Sequence, residues 1–329
     1  MTHTYALSEP LRGLLHHAQG ILGTDIVLKR QRNAPLTGLL LDTYLAGNDR
    51  NIIFFPEDAL GTLKDFIIAK ETIRLLLMGA ACGEERGKVL TYDIASAKRG
   101  MEQIYHDSLK DEQTRTIPLM EKKEIIPLLF FLFHEKLVEL PCLITAQVLV
   151  SRLCPALRNP QTYSLVRESM IDMHSLDPMK ERIPLRYFVL HQGMYYARDM
   201  YLSLKLSAYD LHPEINIPEL QAFRGLDVRQ MMDYRWSQSP WVHTKIAGDA
   251  MANLMGIALS VDIDRKPDSG YYLELADCVN TAVHRWMTMM SMQDWYFWDT
   301  TDSYQDSVAR REEIMKQAID DVCPTEGIR

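Results

Sequence analysis

Lys70-Glu71-Thr72-Ile73-Arg74 sets two basic side chains four residues apart, with a carboxylate directly after the first. On a helix, positions i and i+4 share a face. Two histidines at that spacing can hold Zn²⁺, and a glutamate following the first can activate the metal-bound water as general base. Neither Lys70 nor Arg74 can serve as a ligand while charged, because each offers donors and no lone pair. Glu71 alone has a residue type that such chemistry uses. The ammonium and guanidinium beside it could replace the charge of a metal ion electrostatically, and no metal or cofactor is expected at this position.

The elements that must position these groups are legible around them. Asn51 to Phe55 reads as a short apolar strand, Pro56-Glu57-Asp58 as a helix start, and Ala59 to Gly79 as one apolar-periodic helix. At about 100° per residue, Ala59, Leu63, Phe66, Ile67, Ile73 and Leu77 project within roughly 60° of Lys70, and Arg74 lies on the same stripe. Two basic heads on an apolar stripe must reach solvent along a cleft floor with their stems buried, or pair with buried carboxylates. Upstream, a helix over Glu9 to Leu22 leads into strands at Asp25 to Arg30 and Thr37 to Tyr44. The turn Ala46-Gly47-Asn48-Asp49 before Asn51 is a hairpin signal, so a small antiparallel sheet is expected.

The succession Leu22-Gly23-Thr24-Asp25-Ile26-Val27, Leu36-Thr37-Gly38-Leu39-Leu40-Leu41, Ile52-Ile53-Phe54-Phe55-Pro56 and Phe66-Ile67-Ile68-Ala69-Lys70-Glu71 resembles the IrrE/ImmA-like zinc metallopeptidase family in order and spacing, over about residues 8–80. The resemblance implies a zincin-like motif helix, with Lys70 and Arg74 at the two histidine ligand positions, Glu71 at the general base, and Glu135 or Glu139 at the third ligand. With both histidines replaced, it implies a degenerate member that binds a peptide or protein without hydrolysing it, in a regulatory role. Lys70 and Arg74 are then expected to pair with Glu71 and with Glu135 or Glu139, closing the former metal site with a salt-bridge network.

Composition narrows the remaining classes. The chain has 329 residues, 47% hydrophobic and 24% charged, as in ordinary globular proteins. Lys+Arg 36 against Asp+Glu 44 gives a net charge of −8, and no basic run stands against the repulsion of a phosphate backbone. Direct nucleic-acid binding is not expected. Cysteines 82, 142, 154, 278 and 323 are odd in number and include no C-x-x-C pair, which points to reduced thiols in a cytoplasmic protein. Met1-Thr2-His3-Thr4-Tyr5 does not begin a signal peptide, and Ile125 to Phe133 is well short of the roughly 20 residues a membrane span needs.

From about residue 93 every periodic segment reads as helix: Ile94 to Leu109, Met120 to Val138, Leu143 to Leu157, Tyr163 to Met173, Leu185 to Leu206, Val228 to Trp236, Val242 to Val261, Tyr271 to Met292 and Tyr304 to Val322. Prolines, Pro141 among them, are read as breaks between these segments. The expected class is therefore α+β, predominantly α, with an α+β region over 1–92 and a helical bundle over 93–329 that could divide near 207–225. Weaker candidates are His134 next to Glu135, and the spacings Glu102/His106, Glu168/Asp172 and Asp277/His284. His16, His17 and His191 read as solvated or capped. Trp286, Trp295 and Trp298, interleaved with methionines, are core or an interface for a protein partner or a second copy. Three functions stay open: a non-catalytic peptide- or protein-binding module, a hydrolase using Glu71 with ligands such as His106 or His134, and a helical scaffold.

Overall fold

The computed structural model describes residues 6–32, 51–57, 59, 61–81, 89–207, 227–237, 242–259, 261 and 265–323. The expected strand Thr37 to Tyr44, the turn at Gly47-Asn48 and most of the stretch 207–225 lie outside these residues. Among those described, eleven α-helices and four short strands make a predominantly α, α+β molecule.

Helix α1 (Glu9–Leu22) turns its buried Leu11, Leu14 and Ala18 inward and ends at Gly23, whose φ of 66° fits the left-handed cap that glycine tolerates best. Strand β1 (Ile26–Gln31) pairs with β2 (Asn51–Pro56), from Ile26 opposite Asn51 to Gln31 opposite Pro56. This pairing is parallel, and the antiparallel hairpin expected between Thr37 to Tyr44 and Asn51 to Phe55 rests on residues outside those described. Parallel neighbours need a crossover of about a dozen residues or more, and the segment between β1 and β2 is long enough to supply one.

Helix α2 (Gly61–Ala81) carries Lys70, Glu71 and Arg74. It packs against α1, β2, α4 (Leu119–Leu153), α5 (Arg158–Asp172) and α9 (Ser269–Met290). Every residue from Lys64 to Met78 is buried, so this helix has no solvent face.

Strand β3 (Val89–Thr91) pairs antiparallel with β4 (Phe297–Asp299), joining the first third of the chain to its end. Their few residues and distant partner give no periodic signal, and the sequence reading has neither. Asp93 then caps α3 (Ile94–Lys110) in a capping box with Ser96, which explains its sharp start. One expected break is absent, and one break stands where none was expected. Helix α4 runs through both Pro127 and Pro141, where two segments were expected. Interior proline costs about 3 kcal/mol, and the burial of every residue from Leu140 to Ser151 offsets it. Conversely, the expected helix Tyr304 to Val322 is two, α10 (Thr301–Ala309) and α11 (Arg311–Val322).

The remaining helices, α6 (Leu185–Ser207), α7 (Val228–Ser237) and α8 (Val242–Ala258), stand close to their expected limits. The main hydrophobic core runs from Leu11 to Cys323 and takes side chains from both sides of residue 92. Among the described residues no single helix is long and apolar enough to cross a membrane.

Candidate functional site

Lys70 and Glu71 are 0% exposed and Arg74 is 1% exposed. Of the two arrangements open to basic heads on this stripe, the structure has the second, pairing with buried carboxylates. Arg74 Nη1 donates to Glu71 Oε2 at 3.1 Å, and Lys70 Nζ lies 3.7 Å from Glu71 Oε1. On its other side Lys70 Nζ stands 3.8 Å from Glu168 Oε1 of α5, which also accepts from Ser164 Oγ at 2.7 Å.

From Glu168 the charges continue into α6. Arg198 Nη1 is 3.8 Å from Glu168 Oε2 and donates to Asp172 Oδ2, while its Nη2 donates to Asp199 Oδ1 at 2.7 Å. Asp199 Oδ2 in turn accepts the indole N–H of Trp236 on α7 at 2.9 Å. Toward α4, Lys136 pairs with Glu139 at 2.8 Å, and Glu139 acts electrostatically on both Arg74 and Glu71. Two cations approach the Tyr195 ring, Arg198 at 5.4 Å and Lys136 at 5.7 Å from its centroid. Alternating charge thus runs through α4, α2, α5 and α6 and ends on Trp236 of α7.

Burial and neighbours set the protonation energetics. Desolvation raises the Glu71 pKa above the ordinary carboxylate value, and Arg74 and Lys70 offset part of that rise. Burial lowers the Arg74 value, but Glu71, Cys142 and Glu139 outweigh it and hold the guanidinium above its usual range. Burial also pushes Glu139 up, yet Lys136 and Arg74 outweigh it and leave that carboxyl below its ordinary value. Asp172 is raised by burial against the pull of Arg198. The Cys142 thiol is pushed up to about 11 by burial beside Arg74 and Glu71, so it is neutral at pH 7.

The sequence-derived candidates divide clearly. Glu139 stands within the electrostatic reach of Arg74, whereas Glu135 is on the exposed side of α4. The carboxylate that faces Lys70 is Glu168, which the sequence reading has only as a metal-spaced partner of Asp172. Glu168 and Asp172 both face Arg198 instead. His134 is buried with Nε2 at 2.9 Å from the Leu90 carbonyl, its ring among Tyr92 and Tyr296, and His106, Asp277 and His284 are exposed. His191 is not solvated but 2% exposed. Among the described residues no group of three or more His, Cys, Asp or Glu is disposed to hold a metal ion. Trp286 and Trp295 are at most 1% exposed, with indole N–H groups donating to the Met251 carbonyl and to Gln103 Oε1, so they belong to the core and not to an interface. Trp298 is half-buried in β4.

Sequence reasoning does not assign Glu168, Arg198, Asp199, Lys136 or Trp236 to this cluster. One signal for them exists: Arg198-Asp199 is an adjacent opposite-charge pair inside Met194-Tyr195-Tyr196-Ala197 and Met200-Tyr201-Leu202, where a lone charge would be costly.

Compared with protein-family models, with curated proteins and with solved structures, the chain has no match. Functional inference therefore rests on this cluster and on the sequence motifs around it.

Proposed function

We propose that this chain is a non-catalytic relative of the IrrE/ImmA-like zinc peptidases that binds an extended peptide or protein segment, with Lys70 and Arg74 in place of the metal. One observation carries the reading. The three motif positions are buried at or below 1% exposure and neutralise one another and Glu168. A general base must reach water and substrate, and the Glu71 carboxylate is instead engaged by two cations. The hydrolase alternative would need His106 or His134 beside Glu71, and those side chains are respectively exposed on α3 and bonded to the Leu90 carbonyl.

The test uses full-length protein purified without chelator, with Glu71→Gln alongside and fluorescein-labelled casein as the probe of an unfolded chain. Metal below about a tenth of an equivalent, with casein bound but left intact, is the expected result. About one equivalent of zinc, with cleavage abolished in Glu71→Gln, would overturn the non-catalytic reading. Casein neither bound nor cut would overturn the binding reading and leave a helical scaffold.

A further inference from the structure

Away from the charge cluster, a cleft of about 250 Å³ lies where α1, the end of α4 and the segment before α9 meet. Pro10 and Leu14 of α1, Leu153 of α4 and Pro267 give it apolar walls, and His17, Cys154 and Lys266 are its polar members. Two polar groups at this cleft, one lining it and one beside it, are uncommitted. His17 Nε2 is buried with no hydrogen-bond partner among the described residues. The Tyr272 ring lies 6.0 Å from that of His17, and its buried hydroxyl also has no partner there.

Most orphaned polar atoms in a folded protein find water or a ligand, because leaving them unpaired costs about 1–3 kcal/mol each. Burial and Lys266 both lower the His17 pKa, so the imidazole is neutral at pH 7, and burial pushes the Cys154 thiol up to about 11. Lys266 itself is exposed and forms no ion pair among the described residues. The neighbouring acid is already engaged: Asp268 accepts the Tyr271 N–H as the cap of α9 and pairs with Arg265, which also holds Glu274. An apolar slot with neutral hydrogen-bonding groups and one free cation at its edge suits a small anion with an apolar body.

We infer that this cleft binds a small aromatic or aliphatic monocarboxylate, its apolar body between Leu14, Leu153 and Pro267 and its carboxylate at Lys266, within reach of His17. The inference is independent of the peptidase-like reading, since none of these residues belongs to the charge cluster.

Benzoate is the probe, with benzamide as its uncharged counterpart, followed by saturation-transfer NMR on the full chain at about 1 mM ligand. Benzoate is expected to bind and benzamide to bind about fivefold more weakly, the scale of one exposed charge contact. Lys266→Glu, a surface change that leaves the core intact, is expected to weaken benzoate by at least that factor. Leu14→Trp, which fills the slot, should abolish the signal, with its circular dichroism spectrum reporting whether it folds. No benzoate signal, equal binding of benzamide, or unchanged binding in Lys266→Glu would each overturn the assignment.

Discussion

At the scale of single residues, Lys70 and Arg74 are the side chains whose unusual placement the sequence already shows, because charge on an apolar stripe has few physical solutions. Which carboxylate answers them was not legible. Local spacing relates Glu71 to its own helix and the family resemblance points to Glu135 or Glu139, whereas Glu168 reaches Lys70 only through the packing of α5 against α2. Trp236 shows the same limit from the other side. An isolated tryptophan in Met231-Met232-Asp233-Tyr234-Arg235-Trp236 reads as apolar bulk, yet its N–H is the donor that satisfies the second oxygen of buried Asp199. Trp236→Phe keeps most of the volume and removes that donor. It should destabilise the fold by about 1–3 kcal/mol, the cost of leaving a buried acceptor unpaired, as read from the urea midpoint at constant m-value. An unchanged midpoint would mean that Asp199 is satisfied by Arg198 alone.

At the scale of elements, helices were legible wherever apolar periodicity and capping agree. Glu9–Leu22 and Ile94–Lys110 have both signals and stand within a residue of expectation. The reading failed where tertiary burial overrides a local rule, as at Pro141, and where pairing is purely long-range, as for β3 with β4. Helix crossings belong to this second kind. Gly248 of α8 sits so close to α6 that a Cβ there would stand 2.4 Å from Tyr196 Cδ1 and 2.8 Å from the Gly193 carbonyl oxygen. Gly13 of α1, in contrast, has nothing within 4 Å of a built Cβ. Alanine in a helix interior is ordinarily better than glycine by about 0.5–1 kcal/mol, so Gly13→Ala should raise the thermal midpoint slightly. Gly248→Ala should instead lose about 1–3 kcal/mol through overpacking. Equal effects of the two substitutions would show that α6 and α8 do not approach as closely as described.

At the scale of the whole molecule, the described residues bury an ionic cluster and two neutral histidines inside a core that the predominantly α reading anticipates but whose contents it does not. Burial lowers His134 to about 4 and His191 to about 3, against an ordinary value of 6.5. Below pH 6.5 the unfolded chain therefore takes up protons that the folded chain refuses. Stability from these two groups is complete above pH 6.5, falls as the pH drops, and stops falling only near the folded values. Over the full range His134 contributes about 3 kcal/mol and His191 about 5 kcal/mol to that loss. Urea unfolding between pH 7 and pH 4 should show a steep decline that is shallower in His191→Phe; parallel profiles would mean that His191 is solvated after all. Acidic loss from this source needs no protonation of the ionic cluster, which separates the two contributions.

A buried ion pair to a distant helix holds the Lys70 helix in place. A double-mutant cycle on Lys70→Met and Glu168→Gln, followed by urea unfolding at pH 7, measures that directly. Each single change should cost about 3–5 kcal/mol by leaving its partner's charge buried, and the pair should couple by at least about 1 kcal/mol. Additive losses, within about 0.5 kcal/mol, would contradict the account by showing that Lys70 and Glu168 do not answer each other.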